Sequence, residues 1–578
     1  MEKVLNTLNR KIIAANKHQD MINRYKALCT DEERIIFSLN VMLEYNIIPQ
    51  ASGDIKNAKE SEKLREEGNK LFVSTSLKNH TCVDALKLYT KSIAYAPYPS
   101  EQLALAYANR SAVLLKLHKY ELCIQDIDRA LALKYPDNLR AKLYVRKVEC
   151  LNALRYPCME DAIKEAQYWL EKMSIDDINR KKLNGKLNSI NNLVSQKFKN
   201  QDTIKQPPLP KILAHNSEVP CASDAVIIKY NEEYGRHIVA TRKISPGEVI
   251  AVEKPYSLIL TPDNVHTHCS NCLEVSWANI PCEYCTYAMY CSEECKAMDW
   301  KKYHDVECAV FPSMLKMNFV KLDLFSLRLA IQAVREATSM QELRKELKEV
   351  DNCDGTNMFG SLLSKDLSML IKNADVTFVG GLILRHQQLI PSNIHSFSEE
   401  YGLEAVERGV AAMPFFSLIN HSCNPNILRH SRSKYMIIYA IYPIKEGEQL
   451  CDNYTQHYAI TPKAVRQKEL LKQYYFKCNC PACEEDWPLY YNLKSFRNLV
   501  KKKEDQNKIN HTLRKFNRYV DIATEGNISD KHILNDLLKM IEVLFELVPM
   551  PCEEMNNVVE TLKRVYDLNG NRFEIPEL

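Results

Sequence analysis

The chain has 578 residues, of which 46% are hydrophobic and 26% are charged, and its net charge at pH 7 is +4. This composition is typical of a globular protein with about three or four domains. The balanced charge does not indicate nucleic-acid binding, which usually needs a clearly basic face. No apolar run reaches the length of about 18 residues that would indicate a membrane span.

The first 170 residues are predicted to be helical. Apolar residues cluster at 34–37 and 41–43 in a segment for which the sequence indicates no function. A pattern that begins at Gly68 is then echoed from Asn109, and a looser third unit begins near Leu139. The period is close to the roughly 34 residues of tetratricopeptide repeats. An unrelated helical bundle is the alternative.

Five polar residues of these repeats occupy positions that resemble the peptide clamp of chaperone adaptors. Three cations and two amides on one concave surface could hold two carboxylates by charge-assisted hydrogen bonds. The resemblance implies binding of the C-terminal peptide of a heat-shock chaperone, and the alternative is ordinary exposed helix charges. The candidate residues are Arg65, Asn69, Asn109, Lys142 and Arg146.

Residues 172–223 are predicted to be a linker that ends in the proline-rich run 207–210, because prolines stop helices and stiffen linkers. Short apolar runs with a turn at Pro246-Gly247 follow and indicate a small sheet-rich domain. The predicted strands are 225–228, 237–240, 249–252 and 258–260.

A cysteine-rich ladder interrupts this sheet domain. Zinc prefers thiolate and neutral imidazole, and short C-x2-C or C-x3-C loops present two ligands from one turn. The ladder offers eight ligands for two tetrahedral sites, namely Cys269, Cys272, Cys282, Cys285, Cys291, Cys295, His304 and Cys308. A disulfide framework is the competing interpretation. The chain begins without an apolar leader, so we expect a reducing compartment, either cytoplasm or nucleus.

Helical patterns at 315–337 and 340–350 and a strand pattern at 436–442 follow the ladder. Between them lies the sequence Asn-His-Ser-Cys-Asn-Pro-Asn at 420–426, which resembles the hallmark of SET-domain lysine methyltransferases. Gly235-Arg236, the ladder, this hallmark and a cysteine tail at 474–483 occur in the order found in the SMYD family, in which a MYND zinc finger splits the SET domain. With repeats in front, the chain most resembles the family member that carries such an N-terminal extension.

The resemblance implies a multidomain α+β fold with a β-rich SET domain. In chain order the implied parts are a helical segment 1–60, tetratricopeptide-like repeats 61–171, the linker 172–223, the first SET part 224–268, the MYND finger 269–308, a helical insert 309–400, the SET core 401–460, a post-SET zinc segment 461–486 and a C-terminal helical domain 487–578.

The implied activity is methyl transfer from S-adenosylmethionine to a lysine of a histone or another protein. By this resemblance, the loop of Gly235, Arg236 and His237 would bind the amino-acid end of S-adenosylmethionine, and Asn420 and His421 would lie beside its adenosine. Asn393 and Tyr454 are further candidates for contacts with the cofactor. His237 stands where many relatives have glycine, so it could weaken cofactor binding.

The lysine channel is expected to contain Tyr454, Tyr474 and Phe476. The Tyr474 hydroxyl would lie near the transferred methyl group, although its pKa near about 10 makes it a poor general base. Cys423 is grouped with Cys478, Cys480 and Cys483 as a third zinc site that orders the tail, so the expected cofactors are S-adenosylmethionine and three zinc ions.

A different class of function remains open, that of a non-catalytic adaptor in which repeats and finger bridge partners. MYND modules in general bind proline-rich peptides, including those of transcriptional corepressors, so a corepressor is a candidate partner in either case. Residence in both nucleus and cytoplasm is expected. His237 favours the adaptor, whereas the Asn420-His421 pair with Tyr454 and Tyr474 favours the enzyme.

Overall fold

The computed structural model describes residues 2–47, 55–73, 78–156, 159–192, 208–348, 374–402, 404–526 and 530–576. It contains two compact units, and each unit is built from separate stretches of the chain. The first unit combines Met1–Ile204, Ile259–Gln388 and Glu574–Leu578, and the second combines Lys205–Leu258 and Leu389–Phe573. Both the repeats and the cysteine ladder therefore lie in the first unit.

The N-terminal region is helical, as predicted. Its helices are α1 (Glu2–Ala14), α2 (His18–Lys26), α3 (Asp31–Glu44), α4 (Ala58–Phe72), α5 (Asn79–Tyr95), α6 (Glu101–Lys116), α7 (Tyr120–Ala132), α8 (Arg140–Leu154), α9 (Met159–Glu171) and α10 (Ile178–Asn192). From α4 to α9 they pack in consecutive pairs. Helix α10 lies in the segment that the sequence predicted to be a linker. This part of the segment is a packed helix because Leu187 and Ile190 are buried in the core of α8 and α9.

Helices α4 and α5 approach closely at Gly68. A β-carbon on Gly68 would lie 2.7 Å from the Tyr89 ring, so glycine is required there. In the next pair, the buried guanidinium of Arg110 donates to both oxygens of Asp126 at 2.7 and 2.8 Å, and Nη2 also donates to the carbonyl of Asn279 at 2.9 Å. This buried ion pair connects the helices to the cysteine-rich segment of the same unit.

Four strands precede that segment, namely β1 (Val226–Asn231), β2 (Gly235–Ala240), β3 (Val249–Glu253) and β4 (Ser257–Leu260). Strands β1 and β2 form an antiparallel hairpin. The cysteine-rich segment itself contains the two-residue strands β5 (Ile280–Pro281) and β6 (Met289–Tyr290), followed by α11 (Glu293–Asp299). Helices α12 (Asp305–Lys316), α13 (Lys321–Glu336), α14 (Met340–Lys348) and α15 (Ala374–Asn393) come next.

The predicted helical insert 309–400 ends earlier in the structure. Strand β7 (Ile394–Tyr401) follows α15 directly and pairs antiparallel with β8 (Glu404–Ala412). The sequence pattern missed β7 because its eight residues are mostly polar. Residues 349–350 of the predicted helix 340–350 lie outside the described residues.

The remaining strands are β9 (Asn420–His421), β10 (Ile427–Arg432), β11 (Tyr435–Ala440) and β12 (Cys451–Asp452). Strands β10, β11 and β3 form one sheet in that order, and β12 pairs parallel with β9. Apolar residues at 427–428 and 436–440 are buried, which gives this sheet two covered faces.

The C-terminal region is also helical. Its helices are α16 (Lys463–Tyr474), α17 (Pro481–Glu484), α18 (Phe496–Leu499), α19 (Lys503–Leu513), α20 (Phe516–Glu525), α21 (Ile533–Leu547) and α22 (Glu553–Leu568). The helices after residue 495 share one core with Leu428, Ile437 and Tyr439, so they cover one face of the sheet. None of the described helices is both long and apolar enough to cross a membrane.

Candidate active site and metal centres

The segment Asn420–His421 forms β9 and is held by the parallel strand β12. The side-chain amide of Asn420 donates to Gln449 Oε1 at 2.8 Å and to the Tyr234 carbonyl at 3.2 Å. Both donated bonds fix the orientation of this side chain. Among the residues that the structure describes, no donor contacts Asn420 Oδ1, so this oxygen can accept a hydrogen bond from a ligand.

His421 holds a second part of the chain against β9. Its Nδ1 accepts the backbone N–H of Tyr454 at 2.9 Å, and its Nε2 lies 3.4 Å from Cys423 Sγ. Burial lowers the pKa of His421 to about 4, so the imidazole is neutral near pH 7. A neutral ring with Nδ1 as acceptor must carry its proton on Nε2.

Four aromatic rings converge beside β9. The ring centroids of Tyr454 and Tyr474 are 4.7 Å apart, and His421 lies 5.3 Å from Tyr454 and 5.9 Å from Phe476. The three predicted channel residues are therefore neighbours in space, although 22 residues separate the first from the last in sequence. Below, we call His421, Tyr454, Tyr474 and Phe476 the aromatic cage.

The two tyrosine hydroxyls of the cage differ in their contacts. The Tyr454 hydroxyl donates to the carbonyl of Ile419 at 2.6 Å, whereas the Tyr474 hydroxyl accepts from Gln473 Nε2 at 3.3 Å. Burial raises the pKa of both phenols. Both therefore stay protonated near pH 7, and Tyr474 keeps its proton available for another acceptor.

The predicted cofactor loop begins at Gly235, which has a φ of +61°. Among the described residues, nothing lies within 4 Å of the position of a β-carbon at Gly235, so a ligand can approach this backbone. His237 is buried, and its Nδ1 lies 2.9 Å from the Gly235 carbonyl. Its ring packs edge-on against Tyr234 at 5.8 Å. Arg236 is exposed on the hairpin.

Asn393 lies at the end of α15, where its side-chain amide donates to the Leu389 carbonyl at 2.9 Å. The Asn393 carbonyl accepts from the Ser417 hydroxyl at 3.3 Å, three residues before Asn420. These contacts bring Asn393 to the segment that leads into β9, but they do not show a ligand contact for its side chain.

The cysteine ladder folds into two interleaved ligand groups, each with its four ligand atoms within 4.8 Å of one another. The first group consists of Cys269, Cys272, Cys291 and Cys295, and the second of Cys282, Cys285, His304 and Cys308. Representative separations are 3.8 Å between Cys272 and Cys291 and 3.7 Å between Cys282 and Cys308. Tetrahedral zinc with Zn–S bonds of about 2.3 Å requires S···S edges of about 3.8 Å, so both groups fit the metal.

A third group consists of Cys423, Cys478, Cys480 and Cys483, again within 4.8 Å. Cys423 lies two residues after the hallmark histidine, whereas the other three belong to the tail. Arg466, fully buried on α16, donates from Nε to Cys423 Sγ at 3.2 Å and from Nη2 to Cys483 Sγ at 3.6 Å. A zinc ion with four thiolates has a net charge of −2, which this cation partly offsets.

Two of the predicted clamp residues contact each other. Asn69 Oδ1 accepts from Asn109 Nδ2 and from the Tyr89 hydroxyl, both at 2.8 Å. The charges of Arg65 and Arg146 both act on the Tyr89 phenol and oppose the rise of its pKa to about 12 that burial causes. The two amides and two of the cations therefore share one neighbourhood.

The three cations of the predicted clamp differ in how far other groups of the protein already engage them. Nη1 of Arg146 donates to Ser111 Oγ at 2.6 Å and to the Ala108 carbonyl at 2.7 Å, so this side chain is already engaged within the helices. Arg65 lies 3.7 Å from Glu62. Lys142 is exposed, and desolvation together with nearby Arg146 lowers its pKa.

The sequence patterns missed a charged group next to the cage. Arg429 on β10 lies 3.6 Å from Asp452 on β12, and its Nη1 lies 3.3 Å from His395 Nδ1. The carboxylate of Asp452, two residues before Tyr454, was a usable signal in the sequence. Arg466 had no such signal, because only the fold brings α16 to the cysteines.

Comparison with known proteins identifies one domain of the chain. The family described as SET domain matches residues 235–455, so the chain contains a SET domain. Protein-lysine N-methyltransferase SMYD4 from Pongo abelii is 26% identical over 540 residues, which cover 73% of this chain and 66% of that relative. SMYD4 from Gallus gallus is 30% identical over 326 residues, covering 50% and 42%. N-lysine methyltransferase SMYD2-A from Xenopus laevis is 27% identical over 263 residues, covering 43% and 58%.

The resemblance to the SMYD family that the motifs predicted is thus confirmed, and the chain spans 66% of the length of the SMYD4 relative from Pongo abelii. Among solved structures, the SET domain of LSMT bound to lysine and AdoHcy matches 59% of this chain and 86% of that chain. The identity is 12% and the TM-score is 0.19, a value at which no residue equivalence follows.

Proposed function

We propose that the chain is a protein-lysine N-methyltransferase that uses S-adenosylmethionine. The observation that carries this proposal is that the rings of the aromatic cage meet at Asn420–His421, the hallmark segment of the matched SET domain. The methyltransferase relatives support the activity.

The residues around β9 fit the proposed cofactor. The free Oδ1 of Asn420 can accept from an amino group, and the open backbone at Gly235 permits close approach of a ligand. His237 contacts the Gly235 carbonyl of its own loop, which supports the proposal that its ring leaves room for the cofactor. When bound, S-adenosylmethionine supplies an electrophilic methyl group on a sulfonium.

The cage residues would prepare the substrate lysine. Free lysine has a pKa near about 10.4, and transfer requires the neutral amine. Aromatic walls replace water around the ammonium, which disfavours its charged form and promotes proton loss. Tyr474 keeps its proton, so its hydroxyl can orient the amine but cannot act as general base near pH 7. Tyr454 holds the carbonyl of Ile419 and thereby fixes the wall nearest β9.

We further infer that the three ligand groups hold three structural zinc ions and that the first two form a MYND finger. Each group supplies four protein ligands and leaves no open coordination position, as is typical of structural zinc. Metal analysis of the purified protein should give three zinc ions per chain, and Cys423→Ser should give two. A variant that still holds three would contradict the assignment of Cys423.

Cofactor binding tests the proposed enzyme directly. Calorimetry with S-adenosylmethionine should show binding by the zinc-replete protein and loss of binding by the Asn420→Ala/His421→Ala double variant. The variant must first show unchanged zinc content and helicity. No binding by folded wild-type protein would overturn the enzyme and favour the non-catalytic adaptor.

The helical pairs also support a partner-binding function. We propose that α4–α9 are tetratricopeptide repeats and that their clamp residues bind a carboxylate-ended peptide such as a chaperone C-terminus. Lys142 is exposed, and Asn69 and Asn109 lie together, as this function needs. Fluorescence anisotropy should show binding of an acidic C-terminal peptide, weaker binding of its C-terminally amidated form and loss with Lys142→Ala. Equal binding of the two peptide forms would contradict a carboxylate clamp.

The cysteine-rich segment carries a separate groove of about 400 Å³. Its walls include Tyr284 and Trp300, whose ring centroids are 5.4 Å apart, together with Pro312. We propose that this groove binds a proline-rich peptide of a corepressor type, because aromatic grooves suit extended proline helices. Trp300→Ala should abolish binding of such a peptide without zinc loss, and unchanged binding would exclude the groove.

A further inference from the structure

Arg429 is an exposed cation on an otherwise buried stretch of strand. Its neighbours Leu428 and His430 are buried, whereas 37% of the Arg429 side chain is exposed. The carbon of the guanidinium lies 5.3 Å from the centroid of the Phe416 ring, a cation–π contact that restricts the side chain. A restricted guanidinium loses less conformational freedom when it binds a planar anion.

The donors of Arg429 are mostly unused. A guanidinium has five N–H donors. Among the described residues, the guanidinium of Arg429 has a single hydrogen-bond acceptor, His395 Nδ1 at 3.3 Å. The nearest Asp452 oxygen is 3.6 Å away, beyond ordinary hydrogen-bond distance. Because arginine only donates, His395 must accept at Nδ1, and its Nε2–H then points to Ser417 Oγ at 3.2 Å.

The charged side chains around Asp452 form two pairs of opposite charge. The Asp452 carboxyl is buried and is influenced by Arg429 from β10 and by Lys563 from α22. Lys563 has its own partner, Glu560, at 2.7 Å. Burial and nearby Arg429 lower the pKa of His395 to about 3, so this ring contributes no charge at pH 7. Asp452 is therefore the carboxylate that faces Arg429, at 3.6 Å and beyond ordinary hydrogen-bond distance, so the guanidinium keeps most of its N–H donors for a further acceptor.

This cation adjoins the aromatic cage. Burial raises the pKa of the Tyr474 phenol, and the charges of Arg429 and Asp452 act on this phenol in opposite directions. His395 follows the cofactor candidate Asn393 by two residues, and its ring packs at 4.5 Å on Phe416, four residues before Asn420. Asp452 pairs with His421 of the cage between strands β12 and β9, so the guanidinium that faces Asp452 lies beside the cage.

We propose that Arg429 forms a carboxylate-binding subsite beside the aromatic cage, and that the preferred substrate has an aspartate or glutamate near the methylated lysine. This inference rests on the proposed methyltransferase function and specifies its substrate class. The guanidinium would take the substrate carboxylate in the two-pronged geometry that arginine favours, while Asp452 holds the guanidinium from the opposite side.

Peptide libraries with a central lysine test this subsite. In the first library a single glutamate stands one or two residues before or after the lysine. In the two matched libraries, glutamine or lysine replaces this glutamate. Methyl transfer at low peptide concentration should be about tenfold faster for glutamate than for glutamine, as expected for one charge-assisted bond. The lysine library should be slowest.

Variants of Arg429 separate recognition from structure. Arg429→Ala should reduce the glutamate preference to near one, Arg429→Lys should retain part of it, and Arg429→Glu should favour the lysine library. Lys445→Ala removes one exposed positive charge from a turn of the same unit and should leave the preference unchanged. This control accounts for the effect of net charge alone.

The outcomes distinguish the two hypotheses. Transfer to all libraries at equal rates, or a preference that survives in Arg429→Ala, would overturn the subsite and leave the enzyme intact. Cofactor binding without transfer to any library would overturn the proposed lysine methyltransferase and the subsite with it. A glutamate preference lost in Arg429→Ala and partly retained in Arg429→Lys would establish both.

Discussion

The Tyr454 hydroxyl donates to the carbonyl of Ile419 at 2.6 Å and so joins one wall of the aromatic cage to the residue just before Asn420. The backbone N–H of Tyr454 also donates to His421 at 2.9 Å. Tyr454 is therefore attached to both ends of the segment proposed to bind the cofactor. A change at this hydroxyl should affect cofactor binding as well as the lysine channel.

Tyr454→Phe tests this link. Removal of one buried hydrogen bond leaves the Ile419 carbonyl without its phenol donor, so we expect cofactor affinity to fall by about tenfold and the free energy of unfolding by about 1 kcal/mol. Calorimetry with S-adenosylhomocysteine measures the first effect. The matched control is Tyr475→Phe, since Tyr475 is 83% exposed one residue after Tyr474. Equal affinities in wild type and Tyr454→Phe would show that the bond has no part in cofactor binding.

Arg466→Gln should weaken the third metal group. The variant loses the cation that faces Cys423 and Cys483, and changes around metal ligands commonly reduce affinity by about 10- to 100-fold. A colorimetric chelator should then remove one of three zinc ions at least about tenfold faster than from wild type. Arg466→Lys keeps the charge and should lie in between. Identical release from all three proteins would assign Arg466 a packing role only.

Glu253 should make the stability of the second unit depend on pH. Its two carboxyl oxygens accept the backbone N–H groups of Phe415 and Phe416 at 2.7 and 2.9 Å, but burial dominates and raises its pKa from 4.5 to about 7. Folding therefore takes up a proton between these two pH values. The stabilising contribution is complete below pH 4.5 and is lost as the pH rises through about 7.

Comparison of wild type with Glu253→Gln isolates this effect, because the other titrating groups are common to both. Between about pH 5.5 and about pH 8, the unfolding free energy of wild type should fall relative to the variant by about 2 kcal/mol. Denaturation of zinc-saturated samples at both pH values measures the difference. A constant difference would mean that Glu253 has an ordinary pKa in the folded protein.

The Arg110–Asp126 pair should be essential for the first unit. Arg110→Ala leaves a buried carboxylate with Arg129 as its remaining cation at 3.0 Å, and loss of one partner of a buried pair costs about 3 kcal/mol. We expect a lower thermal midpoint for this unit. The double variant Arg110→Met/Asp126→Leu removes both charges and should recover most of the loss. If the double variant is no more stable than the single one, packing and not charge is decisive here.

The sequence by itself determined which cysteines and histidine could bind zinc, the SET hallmark and the helical, β-rich and helical order of the chain. These features depend on local spacing, because a C-x2-C loop brings two thiolates together wherever it occurs. A glycine such as Gly68, which has no β-carbon, likewise indicates that two helices approach closely. The prediction of the aromatic cage came from motif order and stays a prediction of function, although the rings of Tyr454 and Tyr474 do lie together.

Only the tertiary structure decided which of the ladder's ligand pairs lie together. The short strands β5 and β6 fold the ladder back on itself, so the first cysteine pair meets the third and not the second. The same holds for strand β7, for the pair Arg429 and Asp452, and for Arg466 at the third metal group. These contacts join residues far apart in the chain, and their energies depend on burial and distance, which no local spacing encodes.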